Sequence, residues 1–157
     1  MDPAGSVRPG SGVVTLARAE PSAAPAIAAL VRELARETRE RSPISEDYVR
    51  AYLSSPACGI VLARQGEGVV GMISYSIRAG LFHAAPSCVI EDLIVVKEAR
   101  NQGIGGLLLS DVLGMAEKLG CAEVSVSTET DNAGAVRFYR RHGLSDQSIY
   151  LEKHFGT

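Results

Sequence analysis

Several features that often classify a chain at once are scarce or missing in this sequence. There is no tryptophan, and aromatic residues make up only 5% of the 157 positions. Lysine and arginine number 16 against 18 aspartates and glutamates, so the formal net charge of −2 leaves no basic excess for nucleic acid. No apolar run reaches the roughly 20 residues that a membrane-spanning helix needs. We therefore expect neither a nucleic-acid partner nor a membrane-spanning segment.

Cysteine is also sparse, and its number and spacing argue against a full set of disulfide pairs and against a metal site. Cys58, Cys88 and Cys121 are an odd number and lack the spacing of a metal site. The three histidines are scattered, which likewise predicts no bound metal. Free thiols are typical of a reducing compartment, so the predicted location is the cytoplasm. Residues 1–12 are rich in proline, glycine and serine without the apolar core of a signal peptide, and they predict a disordered tail before one domain at 13–157.

Hydrophobic periodicity and turn residues divide the chain into strands and helices. The predicted strands lie at residues 12–18, 60–64, 69–77, 88–96 and 121–128, and the segment 144–155 is expected to add one or two more. The predicted helices lie at residues 21–40, from 45 onward, at 103–119 and from 131 or 132 to 143. Hairpin strands come first and helix-linked strands follow, which indicates an α/β fold with a mixed sheet and helices over it.

A glycine-rich turn between a predicted strand and a predicted helix is the most informative run in the chain. Its residues are Arg100, Asn101, Gln102, Gly103, Ile104, Gly105 and Gly106. Glycine lets a backbone approach a ligand closely, and the start of a helix presents free N–H groups to an anion. A P-loop is excluded because no Gly-Lys-Ser/Thr follows, and Leu108 occupies the third glycine position of a dinucleotide fingerprint. The pattern Arg-x-x-Gly-x-Gly fits and predicts a phosphate or pyrophosphate site; a tight turn using glycine for geometry alone is the alternative.

A second informative cluster follows closer to the C-terminus. Asn132 and Tyr139 lie seven residues apart and therefore share nearly the same side of the predicted helix. Asn132 at the helix start has an amide for a ligand as well as for the backbone, and Tyr139 carries a phenol proton. A helix cap and a half-buried core tyrosine would explain them individually. Their combination with the glycine turn makes both of them candidates for a binding site.

Together, these motifs resemble the GCN5-related N-acetyltransferase (GNAT) family. The resemblance is carried by Ile90-Glu91-Asp92-Leu93-Ile94-Val95-Val96, by Arg100 through Gly105, by Asn132 through Tyr139 and by Gly143-Leu144. It extends over about residues 60–150 and is closest in motif to the diamine and glucosamine-phosphate acetyltransferase branches. One departure is Lys97, which stands where many members have proline just past the strand.

The resemblance implies a single-domain fold with a mostly antiparallel central sheet, a splayed parallel strand pair and helices on both faces. It implies acetyl-CoA as the cosubstrate, no metal, and an acceptor that is a primary amine of a small molecule or peptide and attacks the thioester directly in a ternary complex. The cofactor-binding residues that it implies are Leu93, Ile94 and Val95 for the pantetheine arm, Arg100, Asn101, Gln102, Gly103, Ile104, Gly105 and Gly106 for the pyrophosphate, and Asn132. A backbone N–H near Leu93 would face the thioester oxygen, where negative charge develops.

Two residues are expected to move protons in this reaction. An alkyl amine has a pKa of about 10, by analogy with lysine, and must lose a proton before it attacks. Glu91 interrupts an apolar strand and is the predicted base, acting directly or through water, with burial tuning it for the task. Strand alternation places Asp92 on the opposite face of the sheet. Tyr139 is the predicted acid for the leaving thiolate. The alternative for Glu91 is a glutamate that faces the surface, and the alternative for Tyr139 is a tyrosine that only packs on CoA.

The acceptor side is less defined by the sequence. Glu33 and Glu37, on a mixed-charge helix face, and Tyr75 in the hairpin are candidate substrate-binding residues, although a solvated charged face explains the two glutamates more simply. The expected assembly is a homodimer. Two other functions stay open at this point: a transferase of a longer acyl group, and a non-catalytic CoA-binding sensor module.

Overall fold

The structure, a computed structural model, describes residues 12–156. Within this range the strands are β1 (Val14–Arg18), β2 (Cys58–Gln65), β3 (Gly68–Arg78), β4 (Ser87–Val95) and β5 (Glu123–Val126). The α-helices are α1 (Ala24–Glu37), α2 (Glu46–Ser54), α3 (Ile104–Lys118) and α4 (Ala133–Arg141), with 3₁₀ turns at Pro21–Ala23 and Lys97–Ala99. Among these residues, no helix has both the length and the apolarity to cross a bilayer. The tail predicted at 1–12 lies outside the described residues except for its last position.

The strands form one sheet in the order β1-β2-β3-β4-β5. The pairs β1–β2, β2–β3 and β3–β4 are antiparallel, whereas the pair β4–β5 is parallel. The parallel pairing runs only from Ser87↔Glu123 to Ile90↔Val126, and β4 then continues to Val95 without β5 beside it. The predicted α/β fold with a mostly antiparallel sheet and a splayed parallel pair is confirmed.

Local signals explain where the helices and the hairpin begin. Ser45 precedes α2, and its hydroxyl accepts from the Tyr48 N–H at 3.1 Å, which satisfies a helix-start donor. Asn132 caps α4 in the same way, accepting from the Ala135 N–H at 3.1 Å. The turn between β2 and β3 uses Gly66 in the left-handed region, at φ 62°. These elements therefore begin where the sequence predicts them.

A hydrophobic core lies on each face of the sheet. Alternate β3 residues divide between the two: Met72 belongs to the core under α1 and α2, and Ile73 belongs to the core under α3. The first core also contains Ile27, Leu30, Val49, Leu62 and Ile94. The second also contains Val61, Ile90, Ile104, Leu108, Leu109 and Val112. Helices on both faces, as predicted, are confirmed.

The segment after α4 differs from its prediction. The sequence predicts one or two strands at 144–155, but no residue from 142 to 156 is in a strand, so this prediction is wrong. Residues 145–156 are all exposed. A strand is stable only when a neighbouring strand takes up its backbone hydrogen bonds, and the segment has no such partner within the described chain.

Candidate active site

A β-bulge interrupts β4 at the two adjacent acidic residues, Glu91 and Asp92. Ser74 of β3 is opposite Asp92, and Tyr75 is opposite Ile90, so Glu91 is an extra residue with no partner of its own. Its insertion reverses the side-chain alternation. Ile90 and Leu93, three positions apart, both contact the α3 core. The two residues between them consequently leave that face of the sheet.

Glu91 and Asp92 therefore lie on the same face of the sheet, the one covered by α1 and α2. The Ser76 hydroxyl donates to Glu91 Oε1 at 2.8 Å, and the Ser74 hydroxyl donates to Asp92 Oδ2 at 2.8 Å. The two serines are two residues apart in β3 and thus share a face. The expectation that Asp92 faces away from Glu91 is wrong, because strict alternation does not survive a bulge.

The burial expected for Glu91 is also not observed. Its side chain is exposed, whereas Asp92 is half-buried and its serine donor is only 3% exposed. The bulge lifts Glu91 out of the ladder, so its carboxylate keeps contact with water. The site thus contains one solvated and one partly desolvated carboxylate in adjacent positions.

Tyr52 of α2 is a site residue that the sequence analysis missed. Its hydroxyl donates to the Tyr75 carbonyl oxygen at 2.7 Å. Burial, followed by negative charge at Cys58, Glu91 and Asp92, raises the pKa of Tyr52. The hydroxyl therefore lies within electrostatic reach of both carboxylates. Nothing in the sequence connects α2 to β4, because only packing against the sheet brings them together.

Tyr139 of α4 approaches the acidic pair from the other side. It is half-buried, and its ring lies edge-on to Phe138 with centroids 5.2 Å apart. Burial, followed by the charge of Asp92, raises the pKa of Tyr139. The phenol therefore keeps its proton at neutral pH. Since Tyr139 follows β5 and Asp92 lies in β4, the phenol comes within electrostatic reach of Asp92 near the point where these strands separate.

The glycine turn adopts left-handed backbone angles at two positions. Asn101 and Gly103 both have positive φ, at 62° and 77°, and Gly103 directly precedes α3. A Cβ built on Gly103 would meet nothing within 4 Å, so space lies open above it. A Cβ on Gly106 would come within 3.1 Å of His142 Nε2, so that glycine permits close packing against α4. Ile104 is 1% exposed in the α3 core and anchors the helix start.

The strand edge beyond the parallel pairing is the other half of the candidate cofactor site. Leu93, Ile94 and Val95 pair with β3 on one side and have no β5 partner on the other. Their side chains pack into the two cores, so only backbone groups remain for a ligand, and of these the Val95 carbonyl already accepts from Arg100 Nε. Gln102 Oε1 is buried without a hydrogen-bond partner in the described chain. A ligand that supplies a donor there would relieve a penalty of about 1–3 kcal/mol.

The remaining predicted residues lie apart from the carboxylates. Arg100 Nε donates to the Val95 carbonyl at 2.8 Å, and its Nη2 pairs with Glu37 Oε1 at 2.6 Å. Glu37 therefore binds the first residue of the glycine turn. Glu33 lines a separate cavity of ≈490 Å³ between α1 and the hairpin. Tyr75 lies in the α3 core, where its hydroxyl accepts from Arg18. The structure does not bring these three acceptor candidates together.

No group of three His, Cys, Asp or Glu side chains with metal-binding geometry occurs in the described part of the chain. The candidate site contains two carboxylates, two tyrosines, a free strand edge and a helix start.

Comparison with known proteins identifies the family of the chain. The model of the acetyltransferase (GNAT) family matches residues 26–144. An aminoalkylphosphonate N-acetyltransferase from Salmonella typhimurium is 32% identical over 127 residues, 81% of this chain and 78% of that protein. The uncharacterized N-acetyltransferase YhfO from Bacillus subtilis is 26% identical over 140 residues, 88% of this chain and 94% of that protein.

Solved structures share the fold. A transcriptional regulator from Bacillus halodurans superposes with a TM-score of 0.80 at 26% identity, over 90% of this chain and 99% of that one. An aminoglycoside acetyltransferase from an uncultured soil metagenomic sample has a TM-score of 0.78 at 20% identity, over 92% of this chain and 96% of that one. The family match spans most of the sequence, and the Salmonella relative is similar over most of both chains. The chain therefore belongs to the acetyltransferase (GNAT) family, and the N-acetyltransferase class expected from its sequence is confirmed.

Proposed function

We propose that the protein transfers an acetyl group from acetyl-CoA to a primary amine of a small molecule or peptide, by direct attack in a ternary complex. The observation that carries this proposal is the β4 bulge. It sets Glu91 and Asp92 side by side next to the opening between β4 and β5, with Tyr139 in electrostatic reach. An amine base and a thiolate acid are the two groups that such a transfer needs.

The carboxylate pair suits a cationic acceptor. A primary alkyl ammonium has a pKa of about 10 and is attracted by two adjacent negative charges. Glu91, which is exposed, takes the proton directly or through water and returns it to solvent. Asp92, held by Ser74, offsets the positive charge while the amine is bound. Asp92 thereby joins the site residues that the sequence proposed.

The backbone of β4 and the glycine turn suit acetyl-CoA, which supplies the activated acetyl thioester. The free edge at Leu93, Ile94 and Val95 accepts the pantetheine amides, and an N–H near Leu93 stabilises the oxyanion. The N–H groups at the start of α3 and the turn from Asn101 to Gly106 hold the pyrophosphate. Asn132, which caps α4, is the remaining residue that we assign to the cofactor.

Tyr139 and Asp92 form a coupled pair in this mechanism. The charge of Asp92 contributes to the raised pKa of Tyr139, which opposes proton donation in the resting state. When the ammonium reaches Asp92, its positive charge offsets that carboxylate and lowers the barrier to donation. Acceptor binding thus offsets the Asp92 contribution, while burial, the larger cause of the raised pKa of Tyr139, remains.

The acceptor is the least constrained part of the proposal. The sequence resembles diamine and glucosamine-phosphate acetyltransferases, whereas the Salmonella relative is named for an aminoalkylphosphonate. All three contain a primary amine, so the shared chemistry is proposed and the branch stays a prediction. A homodimer and a cytoplasmic location likewise stay proposals.

A thiol-release assay tests the function directly. Acetyl-CoA is incubated with panels of diamines, amino sugars, aminoalkylphosphonates and peptides, and acetylated products are identified by mass spectrometry. Turnover of at least one amine is expected. Preferential use of a longer acyl-CoA would identify the acyltransferase alternative, and tight CoA binding without turnover on any amine would identify the sensor module.

Gly103→Val is expected to weaken acetyl-CoA binding roughly tenfold to hundredfold. Gly103 has φ 77°, where a β-branched residue is strained by about 1–3 kcal/mol, and the new side chain would enter the open space above the turn. Calorimetry measures the affinity. Gly114→Ala is the control, because Gly114 lies inside α3 with open space around it, and alanine there should leave binding unchanged. Equal affinity in a folded Gly103→Val protein would place the phosphate elsewhere.

Arg100 and Glu37 are expected to act in opposite directions on acetyl-CoA affinity. Arg100→Ala should weaken binding by about 1–3 kcal/mol, as for a lost charged hydrogen bond. Glu37→Gln should strengthen it, because the carboxylate that holds Arg100 at 2.6 Å competes with phosphate for the guanidinium. Titration of both variants tests this. Weaker binding in both would mean that the pair only holds the turn in shape.

A further inference from the structure

Three consecutive β3 residues, Ser74, Tyr75 and Ser76, control where both carboxylates of the candidate site lie. The Ser74 hydroxyl donates to Asp92 Oδ2 and the Ser76 hydroxyl donates to Glu91 Oε1, each at 2.8 Å. Ser74 is 3% exposed, so water is not a ready alternative partner for its hydroxyl. The positions of the two carboxylates therefore depend on where the β3 backbone holds these two hydroxyls.

The pairing of β3 with β4 is irregular at the same three residues. The register shifts between Ser74 and Tyr75, opposite the extra residue of β4. A bulge leaves one residue unpaired and disrupts the local ladder, so strand pairing fixes this part of β3 less firmly than a regular ladder would. A further attachment at this point would supply the constraint that the ladder lacks.

Tyr52 of α2 supplies such an attachment at the residue between the two serines. Its hydroxyl donates to the Tyr75 carbonyl oxygen at 2.7 Å, although the two residues lie 23 positions apart in the chain. Burial, followed by negative charge at Cys58, Glu91 and Asp92, raises the pKa of Tyr52, so the phenol stays protonated at neutral pH. A phenol has one proton to donate, and this one is committed to a backbone carbonyl. The contact thus suits Tyr52 to hold β3 in place, not to transfer protons.

The side chain of Tyr75 is fixed on the opposite face of the sheet. Arg18 Nη1 donates to the Tyr75 hydroxyl at 3.1 Å, and the Arg18 guanidinium lies 5.6 Å from the centre of the ring. Gly59 is opposite Tyr75 in β2, and a Cβ there would overlap the phenol, so glycine permits this placement of the ring. Tyr75 is therefore held through its side chain and, by Tyr52, through its carbonyl.

We propose that Tyr52 is a positioning residue for catalysis. By anchoring the Tyr75 carbonyl, it sets the two serines that hold Glu91 and Asp92 in the geometry for proton transfer. The inference rests on the proposed function, in which Glu91 is the base. A general base must lie within hydrogen-bond reach of its proton, directly or through one water, and a displacement of about 1 Å can cost 10²-fold in rate.

Tyr52→Phe tests this role, because it removes the hydroxyl and keeps the ring in the core under α1 and α2. kcat is expected to fall about tenfold while calorimetry shows unchanged acetyl-CoA affinity. Amide hydrogen exchange at residues 74–76, measured on the full chain without substrate, is expected to become faster. In a Glu91→Gln background the same change should lower kcat less than about twofold, because the base that Tyr52 positions is already absent.

Two other residues of α2 provide the controls. Tyr48 is 65% exposed, and Tyr48→Phe should change neither kcat nor exchange in β3. Val49 is 2% exposed, and Val49→Ala leaves a cavity under α2 while the Tyr52 hydroxyl remains. Val49→Ala should lower the unfolding temperature at least as much as Tyr52→Phe does, yet keep kcat within about twofold well below that temperature. Loss of stability without loss of rate separates packing from positioning.

The alternative outcomes are distinct. Wild-type kcat in Tyr52→Phe together with slow Glu91→Gln would show that the carboxylates need no anchor, and the proposed function would stand. Wild-type kcat in both variants would contradict the proposed base and this inference with it. A loss in Tyr52→Phe that persists in the Glu91→Gln background, or that occurs without faster exchange at residues 74–76, would show that Tyr52 does not act through the carboxylates. An equal loss in Val49→Ala would reduce Tyr52 to helix packing.

Discussion

Glu91→Gln is expected to lower turnover about 10²- to 10⁴-fold near neutral pH while leaving acetyl-CoA affinity unchanged. The amide keeps the shape of the side chain and its hydrogen bond with Ser76, but it no longer accepts a proton from the ammonium. Part of the rate should return at high pH, where the acceptor loses its proton to water near its pKa of about 10. Steady-state rates across pH, with calorimetry for acetyl-CoA, measure both quantities.

Asp92→Asn and Ser76→Ala separate the roles of the neighbouring groups. Asp92→Asn should raise KM for a cationic amine, because one of two charges that face the ammonium is lost. Ser76→Ala removes only the hydrogen bond to Glu91 and should cost about tenfold or less, as for one neutral donor to a carboxylate. If Glu91→Gln matches wild type across the pH range and Asp92→Asn is inactive, Asp92 is the base. If neither variant is affected, the base does not lie in β4.

Tyr139→Phe is expected to lower turnover about 10²-fold, the lower end of what a general acid contributes, again without loss of acetyl-CoA affinity. Its raised pKa sets this limit. The leaving thiolate has a pKa of about 8 to 9 by analogy with cysteine, so proton donation from a weaker acid is uphill and part of the rate survives through water. The same shift keeps Tyr139 protonated, so its ionisation should cause no fall in the wild-type rate below about pH 10.

Tyr48→Phe is the matched control for Tyr139→Phe. Tyr48 is 65% exposed on α2, so its substitution should leave turnover unchanged. A double-mutant cycle of Tyr139→Phe with Asp92→Asn tests the proposed coupling. The combined loss should be larger than the product of the two single losses, because removing the Asp92 charge makes Tyr139 a stronger acid, and the double variant lacks this partial compensation. Strictly multiplicative losses would contradict the coupling, and full activity of Tyr139→Phe would reduce Tyr139 to a packing residue.

Features that depend on neighbours in sequence were predicted well. Helix caps at Ser45 and Asn132 and the turn at Gly103 depend on residues within a few positions of each other, and each has the predicted role in the backbone. The parallel pair and its opening followed from the family resemblance, and the sheet order agrees with them. Local chemistry and a recognisable motif were sufficient for these elements.

Features that depend on a partner strand were not predictable. Alternation along β4 gave the wrong face for Asp92, because a bulge is defined by which residue of β3 stands opposite, and that register is absent from the sequence of β4 itself. The apolar pattern of residues 144–155 indicates a strand, but a pattern cannot say which edge will pair with it. In the described chain these residues are in no strand.

By itself, the amino-acid sequence determined the order of helices and strands as far as α4, the glycine turn and the enzyme family, since these rest on periodicity, short-range hydrogen bonds and a run of specific residues. Only the tertiary structure decided which side chains form the site. It placed Glu91 and Asp92 on one face, brought Tyr52 of α2 within electrostatic reach of them, and engaged Glu37 with Arg100. These placements arise from strand register and helix packing between residues far apart in the chain, which no local pattern encodes.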